Sequence, residues 1–205
     1  LSRSWRTSRC SLNQQISTEL KVCLVSTLSP STTSTPSDDA ILIAFGANLP
    51  TEEYGAPAQT LKAALQRLMQ DGDILIDAVS SFYETAPVPI SDQPWYVNGV
   101  ARISTKLSAH DLLARLHEVE AEFGRVRRER NAARVIDLDL IAYGREQVRE
   151  EGGIQVPHPR MAERAFVLLP LRDVAGDWVH PVIGRTVADL ISELPEDQQI
   201  RKQAD

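Results

Sequence analysis

The sequence predicts an α+β fold with a ferredoxin-like βαββαβ core, in which an antiparallel sheet carries its helices on one face and C-terminal additions follow. Apolar runs and apolar helical stripes succeed one another in that order between residues 40 and 141. With 205 residues, 42% of them hydrophobic, the chain can build one core of ordinary size. No apolar stretch approaches the roughly 18 residues that read as a membrane span, so no membrane partner is expected.

Residues 1–39 read as a disordered extension ahead of a domain spanning 40–205. They are rich in Ser, Thr and Arg and bury too little apolar surface to fold. Residues 1–37 carry four basic groups against one acid, a balance that suits an organellar leader, although the chain does not begin with Met; a cytoplasmic location is the expectation. Cys10 and Cys23 lie in this extension with no metal-site spacing. The formal net charge is −6, and the +3 of residues 1–37 leaves −9 for the remainder. An acidic domain argues against a nucleic-acid partner and against a ferredoxin-like module that binds RNA on its sheet.

Ala40 to Phe45 is a continuous apolar run ended by Gly46, which predicts a first strand buried on both faces. Pro57 to Met69 carries Leu61, Ala64, Leu65, Leu68 and Met69 at helical spacing, with Pro57 in the first turn and Gly72 beyond the end. Ile74 to Phe82 predicts the second strand and Trp95 to Thr105 the third, separated by a loop with Pro87, Pro89 and Pro94. Ser108 is placed to cap a second helix with the stripe Leu112, Leu113, Leu116, Val119 and Phe123, stopped by Gly124. Arg134 to Ile141 predicts the fourth strand. A short helix from Val187 to Glu193 and a polar tail complete the chain.

Asp137 and Asp139 stand two apart on that fourth strand, on one face and roughly 6.5 Å apart, a spacing that lets two carboxylates hold one or two hard cations. Residues 124–134 contain five arginines, whose rigid forks match phosphate oxygens. Metal-bridged polyphosphate is the ligand that uses both; the alternative is a structural network in which aspartates and arginines neutralise one another. Tyr96 and Asn98 alternate onto one strand face, a flat aromatic beside an amide that donates and accepts. They suit a heterocycle read along its edge, or else a core tyrosine and an asparagine that satisfies loop backbone. His158, Arg160 and Arg164 add donors within reach of phosphate.

Taken together, Ser81-Phe82-Tyr83-Glu84-Thr85-Ala86-Pro87, Asp92-Gln93-Pro94-Trp95-Tyr96-Val97-Asn98, Gly124-Arg125-Val126-Arg127, Arg134-Val135-Ile136-Asp137-Leu138-Asp139 and Pro157-His158-Pro159-Arg160-Met161, with Arg164 and Phe166, resemble the 6-hydroxymethyl-7,8-dihydropterin pyrophosphokinase family of folate biosynthesis. The resemblance runs from about residue 40 to 185 with the motifs in family order. It implies transfer of pyrophosphate from ATP to the pterin hydroxymethyl group, releasing AMP, with Asp137 and Asp139 holding two Mg2+ ions. Arg125 and Arg134 join these aspartates as catalytic residues. Glu120, Arg127, Arg130, Leu140, His158 and Arg164 fall on ATP-side positions. Thr85, Ala86, Val88, Tyr96, Asn98 and Phe166 fall on pterin-side positions, Tyr96 and Phe166 stacking on the ring. The implied partners are ATP, the pterin and neighbouring folate-pathway enzymes. The sequence departs from the family at Asn131-Ala132-Ala133, where some members carry a tryptophan and a Gly-Pro, at His117 for a glutamine, and at Ala86 for a proline. A silent relative acting as a scaffold would be expected to lack one of the aspartates, and both are present.

Overall fold

The computed structural model describes residues 39–87, 91–125 and 133–204; all of the expected disordered extension but Asp39, and Val88, Arg127 and Arg130, lie outside them. Strand β1 (Ile41–Ala47) is central, antiparallel both to β4 (Tyr96–Thr105) and to β5 (Asp137–Tyr143). Its continuous apolar run follows from this position: Ile43, Phe45 and Ala47 enter one core and Leu42 the other. Between β1 and β4 the chain forms helix α1 (Pro57–Met69) and the strands β2 (Ile74–Val79) and β3 (Tyr83–Thr85), both antiparallel to β4. Helix α2 (Ala109–Glu122) precedes β5.

The two predicted helices form as their sequences require. Pro57 opens α1, and Thr60, Leu61, Ala64, Leu65 and Leu68 make its buried stripe. Ser108 caps α2, its Oγ accepting from Asp111 N at 3.2 Å. Gly72 and Gly124, at φ +79° each, end the helical runs in a conformation that side chains resist. Both helices pack on the Ile43 and Phe45 face, and Arg67 Nε joins them to Glu122 at 2.7 Å.

Three expectations are corrected. The second strand does not run unbroken from Ile74 to Phe82. The Ser80 hydroxyl accepts from Val100 N at 3.0 Å and donates to Ser81 O at 2.8 Å. A side chain thus takes over a ladder bond, β2 ends at Val79, and pairing restarts at Tyr83. Likewise, the fourth strand begins at Asp137 rather than Arg134. Asn48 claims both main-chain groups of Arg134: its Oδ1 accepts from Arg134 N at 2.8 Å and its N donates to Arg134 O at 3.1 Å. Finally, the tail is not merely polar, because Ile200–Lys202 forms β8, antiparallel to β3.

The additions cover the second face of the sheet. Helix α3 (Ala165–Ala175) lays Val167, Leu168 and Leu171 against Leu42, Val100 and Ile141, beside the buried Trp178 and helix α4 (Val187–Ser192). The short strands β6 (Val148–Arg149) and β7 (Gln155–Val156) make a separate hairpin. Strand order in the main sheet is β5-β1-β4-β3-β8, with β2 also on β4, so the sheet is the middle of three layers.

Candidate active site

Residues directly opposite one another in an antiparallel ladder present their side chains on the same face. Gly46 of β1 is opposite Asn98 on one side and Asp137 on the other, and Ala44 is opposite Val100 and Asp139. Asn98, Gly46 and Asp137 therefore form one row across three strands, on the face where α3 begins. Gly46 is the gap in the row. A Cβ there would lie 2.6 Å from Asn98 Oδ1. The absent side chain leaves a bare floor between an amide and a carboxylate.

The carboxylate end is electrostatically unbalanced. Arg134 Nη1 donates to Asp137 Oδ2, and Arg125 Nη1 lies 2.6 Å from Asp137 Oδ1, a buried oxygen with no aligned hydrogen bond. Burial, and then the neighbouring Asp139 carboxylate, push Asp137 above its ordinary range, against the pull of Arg134 and Arg125. The Asp139 side chain makes no hydrogen bond or ion pair to another described residue, although its charge acts on Arg164. Facing the pair, Arg164 is held below its usual value first by burial and next by Arg160. His158 is pushed down to about 4, first by burial and then by Arg164 and Arg160, so its imidazole is neutral at physiological pH. Its main chain is pinned by His158 N donating to Ile141 O at 2.9 Å.

Between the two readings of these charges, the structure divides the aspartates. Asp137 does pair with arginines; Asp139 does not. A buried oxygen without a hydrogen bond, a second carboxylate on the same face and a raised Asp137 together make a donor set suited to a hard cation. Magnesium fits these residues. Among the described residues, no third His, Cys, Asp or Glu joins them.

The amide end is balanced instead. Asn98 is 7% and Thr85 5% exposed, and Asn98 Nδ2 donates to Thr85 Oγ1 at 2.8 Å. Ala86 N donates to Gln199 O at 3.1 Å, which ties this strand end to the stretch leading into β8. Tyr96 donates to Gln93 Oε1 at 3.0 Å. Phe166, in the first turn of α3, lies under the Arg164 guanidinium at 5.2 Å. A shallow cleft lies between Thr85, Ala86 and Phe166, with Gln198 and Gln199 also in its lining.

The structure thus gathers Asp137, Asp139, Arg125, Arg134, His158 and Arg164 at one end and Thr85, Ala86, Asn98 and Phe166 at the other, with Tyr96 beside them. Two expected ATP-side residues have other surroundings. The Leu140 side chain is in the helix-side core, on the opposite face from Asp139. Glu120, 1% exposed, accepts from Leu138 N at 2.7 Å and pairs with Arg125, so it fastens α2 to β5 and anchors an arginine. Asn48 lies outside every motif named above. Buried at 1% exposure, it holds Arg134 and also donates from Nδ2 to Gln93 Oε1 and Pro94 O, both at 3.2 Å, so it links the two ends. Its signal in the sequence was weak: one amide just after a strand.

Residues 42–176 match the family model described as 7,8-dihydro-6-hydroxymethylpterin-pyrophosphokinase (HPPK). The 2-amino-4-hydroxy-6-hydroxymethyldihydropteridine pyrophosphokinase of Haemophilus influenzae is 38% identical over 159 residues, which cover 78% of this chain and 95% of that protein. The folic acid synthesis protein fol1 of Pneumocystis carinii is 37% identical over 157 residues, covering 77% of this chain but only 20% of that much longer protein. In fold, the chain is similar to the crystal structure of Plasmodium falciparum HPPK-DHPS A437G with STZ-DHP, at a TM-score of 0.56 and 11% identity, over 75% of this chain and 45% of that one.

Proposed function

The chain belongs to the 7,8-dihydro-6-hydroxymethylpterin-pyrophosphokinase family, enzymes that pyrophosphorylate 6-hydroxymethyl-7,8-dihydropterin in folate synthesis, and from that premise we propose how its own residues perform the transfer. The pterin hydroxymethyl oxygen forms a bond to the β-phosphorus of ATP as the bond to the α,β-bridging oxygen breaks, giving AMP and the pterin pyrophosphate.

Asn98 and Thr85 read the edge of the pterin, and Tyr96 and Phe166 enclose its faces. The ring then lies over the amide end of the row, and its hydroxymethyl arm crosses the bare floor at Gly46 toward the aspartates. Arg164, Arg125 and Arg134 meet the phosphates as fixed donors, while neutral His158 offers a hydrogen bond without adding charge. Arg125 is already oriented by Glu120, so it exchanges Asp137 for phosphate without searching for its position. Asp137 and Asp139 would hold magnesium, two ions by the family resemblance, which when bound neutralises phosphate charge and polarises the transferring group. Arg127, Arg130 and Val88 complete the proposed set from outside the described residues. A cytoplasmic location belongs to the same proposal, as does association with a neighbouring folate enzyme, a proposal supported by the fused HPPK-DHPS of Plasmodium falciparum. Among the described residues, no helix is long and apolar enough to cross a membrane.

The observation that carries this reading is the row Asn98, Gly46, Asp137, beside an Asp139 carboxylate that faces Arg164 across the site and has no hydrogen bond or ion pair to another described residue. Mass-spectrometric product analysis with ATP, magnesium and 6-hydroxymethyl-7,8-dihydropterin tests it. AMP and pterin pyrophosphate should appear in equal amounts; ADP in place of AMP would overturn pyrophosphoryl transfer.

A further inference from the structure

The stretch leading into β8 reaches the pterin cleft through a side chain that the family motifs do not include. Gln198 Nε2 donates to Glu163 O at 2.8 Å, and Gln198 Oε1 accepts from Ala165 N at 2.9 Å. These two main-chain groups flank Arg164, whose backbone is extended at φ −116° and ψ 112°. In extended backbone the carbonyl before a residue and the N–H after it point the same way, so one amide engages both as a neighbouring strand would. Ala165 N is also one of the first N–H groups of α3, which the helix itself cannot satisfy. Its neighbours on either side are Arg164 and Phe166, one on the phosphate side and the other on the ring side of the site.

We infer that Gln198 is a positioning residue for the pterin half of the site: by bracketing Arg164 it sets where Phe166 stands against the ring. Gln198 also lines the cleft, and the role inferred for it is exerted through the main chain of residues 163–165. Gln199 supports the bracket from the opposite wall, where its carbonyl accepts from Ala86 N at 3.1 Å, so Thr85, Ala86 and Phe166 are referred to one short segment. This inference rests on the proposed pterin pocket.

Gln198→Met keeps the length and bulk of the side chain and removes both bonds. With saturating ATP and varied pterin, its KM for pterin should rise about 5–10-fold, while kcat stays within about twofold and the KM for ATP, which the bracketed Arg164 also serves, rises by a smaller factor. Arg201→Gln, in β8 just beyond Gln198, serves as the control. It severs an exposed ion pair to Glu84, 2.7 Å from Nε, and a stack on Trp95 at 4.9 Å, and should change each constant less than about twofold. An unchanged pterin KM in Gln198→Met overturns the inference. So does a fall in kcat that tracks a fall in Tm, because the bonds would then only cap α3. A wild-type protein that does not turn over the pterin overturns the pocket assignment itself, whereas wild-type turnover with an insensitive Gln198→Met overturns this inference alone.

Discussion

The two ends of the row across β4, β1 and β5 are built on opposite principles. At Asn98 and Thr85 the protein satisfies its own polar groups: two buried side chains bond each other and neither carries charge. At Asp137 and Asp139 it leaves an imbalance, with one carboxylate raised, a facing histidine lowered and a second carboxylate without a partner among the described residues. A neutral, paired end recognises by shape and hydrogen-bond pattern and costs little to maintain in the empty state. A charged, incompletely balanced end gives up folded-state stability and recovers it when ligand arrives. On the proposed reading, recognition and reactivity then fall to different strands of one sheet.

The largest expected effect breaks the charged end alone. Asp139→Ala should lower kcat/KM by about a thousandfold or more while the Tm of the metal-free protein holds or rises, because the change removes a like charge and no hydrogen bond. Retained turnover would show that Asp139 has no part in holding metal. At the other end, Asn98→Ala should raise the pterin KM roughly a hundredfold and leave ATP binding near wild type, since a site built to hydrogen-bond an edge is left with Thr85 unpaired. Calorimetry with each substrate separates the two; a loss of ATP affinity equal to the loss of pterin affinity would contradict the division.

Gly46→Ala probes the boundary. The added methyl, 2.6 Å from Asn98 Oδ1, must displace that amide, and pterin KM should rise about tenfold at a stability cost of about 1–2 kcal/mol. The mildest test is titration of stability in the absence of metal. His158, lowered to about 4 in the fold from 6.5, takes up its proton more readily in the unfolded chain. Between those values stability should therefore fall as pH falls, by about 2 kcal/mol from pH 7 to 4.5, and His158→Asn should flatten that slope in acid denaturation. A slope identical in His158→Asn would move its cause to other groups.

What could be read from the sequence depended on whether the cause was local. The first strand and both core helices follow from apolar spacing, the Ser108 cap, Pro57 and the terminating glycines, each a local cause. The aspartate pair was legible for the same reason, since positions two apart on a strand must share a face. The break between β2 and β3 depends on one hydroxyl finding Val100 across the ladder. The late start of β5 depends on Asn48, 86 residues away in sequence from Arg134. Neither partner leaves a periodic trace. β8 is three residues long and contains Arg201 and Lys202, so no alternation announces it; the open edge of β3 selects it. That α3 closes the second face of the sheet is a matter of topology, which its own apolar residues do not announce.

The bare position at Gly46 also acts as a ruler. From Asn98 to Asp137 the row spans two interstrand spacings, roughly 10 Å, a length set by backbone hydrogen bonds rather than by any side chain. On the proposed reading, that interval measures the substrate's arm. A homologue longer by one methylene would overshoot by about 1.3 Å, and no substitution along β1, β4 or β5 could move the strands apart to receive it. Selectivity for arm length is then a property of the sheet itself, shielded from the drift of individual residues.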